Sequence, residues 1–370
     1  MKFAENKRNS NFELLRIIMM FFIILNHLFV HGFSKYAGLS DLEWFFVNSF
    51  KWLGMIGNYA FMLLTGYFSV SVDKINLSSI FKLHKKYFFY SVLIGTLFFI
   101  FKFPTVANNN FELENLYKKN GFTLVSKPLS GIEYIRSFFP VIFGINWYAS
   151  SFLIFMFFIP FLNKCLKICT RKEHLLLMGI TIFIGSILQL VPKQQAFFPN
   201  AIFQFFMLYF IGAYIKLYGS YFCKFKKTNI IFAFLGICSI IFIQLLFLLA
   251  YRKNFISYNL LLKFSEKIST SFLTIAIAFF CFLFFEQLKK RTNKLINLIG
   301  KSTFGIYLIH DNCYFSIFLM NKILKINNGG GYKHYKITYG CCFDFLHMFS
   351  DRYFCFCSFR EINFKKEISI

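Results

Sequence analysis

The sequence predicts an all-α, polytopic integral membrane protein, a helical bundle of about nine to ten transmembrane helices. Of its 370 residues, 57% are hydrophobic and only 15% are charged, whereas about a quarter are charged in ordinary soluble domains. Apolar runs recur along the whole chain, and a helix needs about 20 such residues to cross a hydrocarbon layer of roughly 30 Å. The spans are predicted to be helices, because an open sheet edge would leave backbone groups unpaired in lipid.

Nine apolar segments are predicted to span the membrane. The first is too long for a signal-peptide core, contains His27 and lacks a small-residue cleavage site, so we expect it to be retained. Together the segments form a predicted membrane domain over residues 1–327, with no sizeable soluble domain. Their predicted bounds are 12–31, 50–70, 87–103, 142–162, 174–191, 199–216, 229–250, 268–286 and 303–320.

Lys and Arg are concentrated in alternate connections between these segments, and the formal net charge is +25. Because cytoplasmic loops carry the excess of Lys and Arg, we predict a multi-pass protein of the cell (inner or plasma) membrane with a cytoplasmic amino terminus. The 251–267 connection also carries base and fits less well. Charge spread over short loops, and not gathered on one basic face, predicts no nucleic-acid partner. The connections predicted to be cytoplasmic are 74–86, 164–172, 216–227 and 289–301.

Residues 328–370 form an atypical tail. They contain a glycine triplet, four of the ten Cys, and charged residues inside the only apolar candidate, 337–357. A zinc cluster is one alternative, but Cys pairs that are adjacent or one residue apart match no usual structural finger. We interpret the tail as the remnant of a last helix whose reading frame has shifted. The other Cys are scattered without a repeated CxxC pair, so we predict free thiols and no metal site.

The first span carries a line of polar residues. Arg16 and His27 are eleven residues apart, so a helix separates them by roughly 16 Å along its axis and by only ~20° around it. Glu13 and His31 fall near the same stripe. Ionisable groups in spans usually face the bundle interior and have a function. A neutral imidazole can take a proton from a hydroxyl, and Arg binds phosphate, so we predict a base beneath an anion-binding entrance.

A structural explanation of the same pair is an alternative. Arg16 would then extend to the cytoplasmic headgroups, and His27 would hydrogen-bond a neighbouring helix.

Four features in a fixed order carry a resemblance to a known family. Besides Arg-x10-His, they are the segments FMLLTGYF (61–68), NWYASSFLIFMFFIPFLNK (146–164) and IGKSTFGIYLIHDN (299–312). In these the chain resembles the membrane acyltransferase 3 family, whose members move acyl groups, usually acetyl from acetyl-CoA, onto sugars of surface glycans. It is similar to the members without an appended hydrolase-like domain.

The resemblance implies roles on the donor side. His27 would be essential for acyl transfer, as general base or transient acyl carrier, with Arg16 its partner toward the donor. The family often has Arg-x-x-Arg at the start of its third span, where this chain has Lys82 and Lys85. The resemblance thus implies that Lys82 and Lys85 bind a CoA phosphate, although an ammonium group cannot make the planar, two-pronged contact of guanidinium. The alternative is that both lysines belong to the ordinary positive charge of a cytoplasmic loop. Glu13, on the stripe, completes the predicted donor-binding set.

The resemblance also implies an acceptor side. Trp147 and Tyr148 would line a carbohydrate site, because flat rings stack on sugar faces, and His310 would lie nearby. The alternatives are interfacial anchoring for the two aromatic residues and simple solvation for His310.

The sequence therefore predicts a membrane O-acyltransferase that moves an acyl group, usually acetyl, from acyl-CoA to a hydroxyl of a cell-surface or lipid-linked saccharide. The predicted partners are acetyl-CoA or another acyl-CoA as donor substrate, the saccharide acceptor and the lipid bilayer, with no bound cofactor and an open oligomeric state. No GxGxxG or GxxxxGK[ST] loop is present, so nucleotide chemistry is not supported. A transporter or flippase of a lipid-linked or anionic sugar is the alternative, since polar residues in spans also fit transport.

Overall fold

The structure, a computed structural model, describes residues 8–29, 41–106, 126–190, 201–219 and 226–319. Over these residues the predicted all-α class is confirmed, with one short antiparallel pair of strands, β1 (Pro104–Val106) and β2 (Ser126–Pro128). A π-helical turn (Phe183–Ile187) and a 3-10 turn (Leu188–Leu190) follow α6. The helices are α1 (Ser10–His27), α2 (Asp41–Ser69), α3 (Leu77–Ile100), α4 (Gly131–Arg136), α5 (Trp147–Ile168), α6 (Arg171–Ile182), α7 (Ala201–Tyr218), α8 (Lys226–Arg252), α9 (Tyr258–Ser269), α10 (Phe272–Glu286), α11 (Lys294–His310) and α12 (Phe315–Phe318).

Five stretches within the described ranges are long and apolar enough to cross a membrane. They support a multi-pass membrane protein, while the total of nine to ten spans stays a prediction. The helices α2 and α3, with 29 and 24 residues, also have the length to cross at about 1.5 Å per residue. The five stretches are Ser10–His27, Trp147–Ile168, Ala201–Tyr218, Lys227–Arg252 and Tyr258–Glu286.

Three helices begin well before the apolar segments that predicted them, and one of these is α2, which begins at Asp41 and not at 50. The 303–320 segment corresponds to α11, which begins at Lys294 and ends at His310, and a turn then separates it from α12. Asn293 starts α11 by accepting a hydrogen bond from the Ile296 N–H at 3.1 Å. The polar first turns of α11 lower its hydropathy without opposing helix formation. Likewise α3 begins at Leu77 and not at 87, after the capping residue Asn76. His31 and the 328–370 tail lie outside the described residues.

The helix α2 lies at the centre of the bundle, where it packs against α1, α7, α8, α9 and α10. Its contact with α7 depends on two glycines. A Cβ on Gly66 would come within 3.0 Å of the Tyr209 carbonyl oxygen, and a Cβ on Gly212 within 3.0 Å of the Leu63 carbonyl oxygen. Small residues let two backbones approach closely, which is how membrane helices associate without a hydrophobic driving force.

Contacts at one end of the bundle join the connections predicted to be cytoplasmic. The Asn11 side chain donates to the carbonyl oxygens of Leu288 and Lys289 at 2.9 and 3.1 Å. Lys167 forms an ion pair with Asp73. These contacts join the amino-terminal segment to the 289–301 connection, and the 164–172 connection to the residue before 74–86, as a single cytoplasmic face requires.

The 251–267 connection, which fits the charge rule less well, lies at the other end. There Arg252 forms an ion pair with Asp41 at the start of α2. The charge of Arg252 is therefore balanced by Asp41, a contact between distant residues that the order of residues in the chain did not indicate.

We expect Gly66→Ala and Gly212→Ala to lower the thermal unfolding midpoint in detergent. Each added methyl group forces α2 away from α7, and overpacking of this kind costs about 1–3 kcal/mol. Gly179→Ala is the matched control, since a Cβ at this glycine of α6 meets nothing within 4 Å. Its midpoint should stay or rise, because Ala favours a helix by up to ~1 kcal/mol over Gly. An unchanged midpoint for the first two variants would contradict the close approach.

Candidate active site

The helices α1 and α11 run parallel and supply the polar side chains of the candidate active site. At their first turns, the Ser10 hydroxyl donates to Asn297 Oδ1 at 2.8 Å. At their far ends, His27 meets His310. The parallel arrangement carries both histidines to the end of the bundle opposite the basic connections.

Glu13 is a buried carboxylate shared by two arginines. Its side chain is 2% exposed, and Oε1 pairs with Arg8 Nε at 3.0 Å and with Arg16 Nη1. Gly300 of α11 makes room for it, because a Cβ at that position would collide with Oε2. An ionised carboxylate is tolerated at this depth only when it is paired. Two residues predicted on the donor side, Glu13 and Arg16, thus belong to one ion-paired group.

His27, His310 and Asp311 form a compact cluster, which we call the histidine cluster. His27 Nδ1 lies 3.1 Å from His310 Nε2 and 3.4 Å from Asp311 Oδ1. The side chains of His27 and Asp311 are only 14% and 11% exposed, so the carboxylate acts on the ring through little water. Asp311 is placed to stabilise the imidazolium that His27 becomes when it takes a proton.

The hydrogen bonds of His310 assign the protons in this cluster. A carbonyl oxygen only accepts, so His310 Nδ1–H donates to the Ile306 oxygen at 2.8 Å, and Nε2 of the neutral ring carries the lone pair. His27 Nδ1–H then donates to His310 Nε2, which leaves His27 Nε2 as the unprotonated nitrogen. A general base needs this arrangement, in which one nitrogen is oriented by an acceptor and the other carries a lone pair.

The aromatic residues Tyr148 and Tyr307 connect α5 to the histidine cluster, and we call them the aromatic bridge. Their ring centroids are 6.0 Å apart, and the Tyr307 ring lies 5.9 Å from the His310 ring. Trp147 is 42% exposed and packs edge-on against Tyr148. The three residues predicted on the acceptor side, Trp147, Tyr148 and His310, are therefore neighbours, and His310 is buried against the predicted base.

Of the lysines at the start of α3, Lys82 and Lys85 are exposed and Lys86 is half-buried. Lys86 lies against α11, since its Cε is 3.8 Å from the position that a Cβ on Gly305 would take. One residue turns a helical side chain by about 100°, which separates Lys85 from Lys86. Lys86 and Lys82, one turn apart, thus lie on the side of α3 that faces α11, and Lys86 is the lysine that lies against it.

Sequence reasoning did not include Asp311 or Lys86 among the site residues. The signal for Asp311 was its place directly after His310 at the end of an apolar segment. Lys86 carried no signal of its own among the neighbouring lysines. Within the ranges given above, no group of three or more His, Cys, Asp or Glu side chains is arranged to hold a metal ion.

Comparison with known proteins identifies the family of this chain. The acyltransferase 3 family, described as an acyltransferase domain, matches residues 9–336, which include α1, α11 and the whole histidine cluster. The match runs past residue 327, where the sequence predicted the domain to end. No curated protein and no solved structure matches the chain. With most of its 370 residues matched, the chain belongs to the acyltransferase 3 family and is a membrane acyltransferase.

Proposed function

We propose that the protein transfers an acetyl group from acetyl-CoA to a hydroxyl of a cell-surface or lipid-linked saccharide, with His27 as the general base. The observation that carries this proposal is the histidine cluster, in which hydrogen bonding leaves the lone pair on His27 Nε2. When Nε2 takes the hydroxyl proton, Asp311 offsets the new charge. The same lone pair would serve a transient acyl carrier, the alternative role of His27.

The donor binds at the Arg16 end of α1. Arg16 grips a phosphate of CoA, and Lys82, Lys85 and Lys86 extend the cationic surface toward the same group. Glu13 acts as a positioning residue, because a carboxylate repels phosphate but holds Arg16 in place. Arg16 and His27 are separated by roughly 16 Å along the helix, a distance suited to the long, narrow pantetheine arm.

The saccharide binds at the opposite end, beside Trp147, Tyr148 and the histidine cluster. Flat rings suit the faces of sugars, and the exposed Trp147 leaves its indole available for such a contact. The hydroxyl to be acylated lies against His27 Nε2, where proximity converts a two-substrate reaction into an effectively unimolecular step.

Membership of an acyltransferase family favours this reaction over the transporter or flippase alternative. A test for covalent transfer of the acyl group distinguishes the enzyme from the transporter. Membranes that contain the protein should incorporate radiolabel from acetyl-CoA into glycan, whereas a transporter incorporates none.

We expect His27→Ala to lower this incorporation by about 10²–10⁴-fold, the usual contribution of a general base. His174→Ala is the matched control, because His174 is also buried but donates from Nε2 to the Phe210 carbonyl between α6 and α7. It should keep the rate per amount of folded enzyme. Normal transfer by His27→Ala would contradict its role, and no transfer by the unaltered protein would contradict the proposed function.

We expect Arg16→Lys to raise the KM for acetyl-CoA about tenfold with little change in kcat. The substitution keeps a charge beside Glu13 but loses the planar grip on phosphate. Arg252→Lys is the control, since Arg252 also pairs with a carboxylate, Asp41, but far from the proposed donor site. Initial rates over a range of acetyl-CoA concentrations would check this, and an unchanged KM for Arg16→Lys would count against donor binding at this end.

We propose that the amino terminus and the basic connections face the cytoplasm, where acetyl-CoA is available. A membrane-impermeant thiol reagent should label Asn120→Cys in intact cells, and Lys226→Cys only after permeabilisation, above the background of the unaltered chain. The reverse pattern would place the Arg16 end outside and exclude cytoplasmic donor entry there.

A further inference from the structure

Asn146 carries a buried side-chain amide for which the mechanism above has no use. The residue is 1% exposed, and neither Oδ1 nor Nδ2 has a hydrogen-bond partner among the described residues. Asn146 occupies the cap position of α5, yet its side chain makes no capping hydrogen bond. Buried polar groups are almost always satisfied, so this amide calls for an explanation, and a ligand group that it binds is one.

Asn146 lies in the same part of the bundle as the histidine cluster. Residues that flank it pack in one apolar cluster with residues that flank His27. Two positions after it, Tyr148 begins the aromatic bridge that leads through Tyr307 to His310. The flanking residues are Ile145 and Ala149 on one side and Ile24 and Leu28 on the other.

The backbone at Asn146 is held firmly. Its N–H donates to the hydroxyl of the fully buried Tyr87 at 2.7 Å, and that hydroxyl lies 3.0 Å from the Pro140 carbonyl oxygen and 3.0 Å from the Ser150 hydroxyl. The start of α5 is thereby fastened to α3. Because its backbone is fixed in this way, the Asn146 side-chain amide needs little rearrangement when charge develops near it.

The amino end of α5 adds a second favourable element. The first N–H groups of a helix have no partner within the helix and form the positive end of its dipole. In α5 the backbone ladder begins with the bond from Ser150 N–H to the Asn146 carbonyl. The unsatisfied amide and the first N–H groups of α5 are thus donors at one place. The Tyr87 hydroxyl, to which Asn146 N–H donates, lies near enough to Asp311 of the histidine cluster to interact with its charge.

We propose that Asn146 is a further catalytic residue, whose side-chain N–H groups stabilise the oxyanion formed during acyl transfer, with help from the amino end of α5. This inference rests on the proposed function. The ligand recognised is the carbonyl oxygen of the thioester, which carries a full negative charge only after the hydroxyl attacks.

The reaction balances as follows. The saccharide hydroxyl oxygen bonds to the thioester carbon, its proton passes to His27 Nε2, and the carbonyl electron pair moves onto oxygen, where Asn146 Nδ2 donates to it. The carbonyl then re-forms, the carbon–sulfur bond breaks, and the sulfur takes the proton from His27. The products are the ester and free CoA, and no further reactant is consumed.

The test uses the full-length protein in membranes and in detergent. We expect Asn146→Ala to lower kcat about 100-fold, as loss of one oxyanion donor does, with the KM for acetyl-CoA changed less than twofold. Because the variant removes an unsatisfied amide, its thermal midpoint should stay or rise. Asn146→Asp keeps the volume but replaces the donor with an acceptor, and its kcat should fall at least as far.

Asn163→Ala is the matched control. Asn163 is equally buried, but its amide donates to the Ser69 and Val72 carbonyls at 2.7 and 2.8 Å, at the other end of α5. This variant should lower the midpoint and keep kcat within twofold for the folded fraction. If both Asn146 variants transferred acetyl at the normal rate while His27→Ala failed, the oxyanion role would be overturned and the proposed function would stand. If the unaltered protein transferred no acetyl, both would be overturned.

Discussion

The fit of the Glu13 carboxylate over Gly300 is the contact on which the site depends. A buried charge is costly, and here Arg8 and Arg16 balance it while a missing side chain on α11 gives it space. A buried ion pair adds little net stability, but separating its partners is strongly unfavourable. Helix arrangements that would expose or unpair Glu13 are therefore disfavoured. The same group that holds Arg16 thus holds α1 against α11, and their far ends bring His27 to His310.

The central helix α2 extends this frame to the start of α5, where Trp147 and Tyr148 lie. Its glycines let α7 approach to backbone contact, and α5 is attached to it near both ends. The Tyr148 hydroxyl donates to the Asn58 carbonyl at 3.4 Å, and the Asn163 amide donates to the Ser69 carbonyl at 2.7 Å. The side chains at the start of α5 therefore stand in a fixed relation to α1, although α1 and α5 are separated by two long helices in the chain. Precise placement of this kind is what a two-substrate transfer requires.

The sequence was sufficient for the parts of the molecule that depend on local periodicity. The helical class and the shared face of Glu13, Arg16 and His27 follow from 3.6 residues per turn and from the cost of charge in lipid. The contact of His27 with His310 joins residues 283 positions apart, and no local pattern contains it. Spacing in the family motif selected Lys82 and Lys85. Which lysine lies against α11 depends on how α3 is rotated in the bundle, and the structure shows that it is Lys86. In the sequence, Asn146 was only the first residue of a family segment, and its lack of hydrogen-bond partners is visible only in the structure.

The parallel pairing of α1 with α11 also bears on biosynthesis. At roughly 5–20 residues per second, the ribosome needs on the order of a quarter of a minute to a minute to make the 283 residues that separate His27 from His310. During that interval the polar face of α1 lacks its contacts with α11. Its earliest partner is α2, which packs closely against it at Gly54 and Gly57. A nascent chain that stops before Lys294 would hold most of its helices but neither His310 nor Asp311, so the candidate site can form only when synthesis is nearly complete.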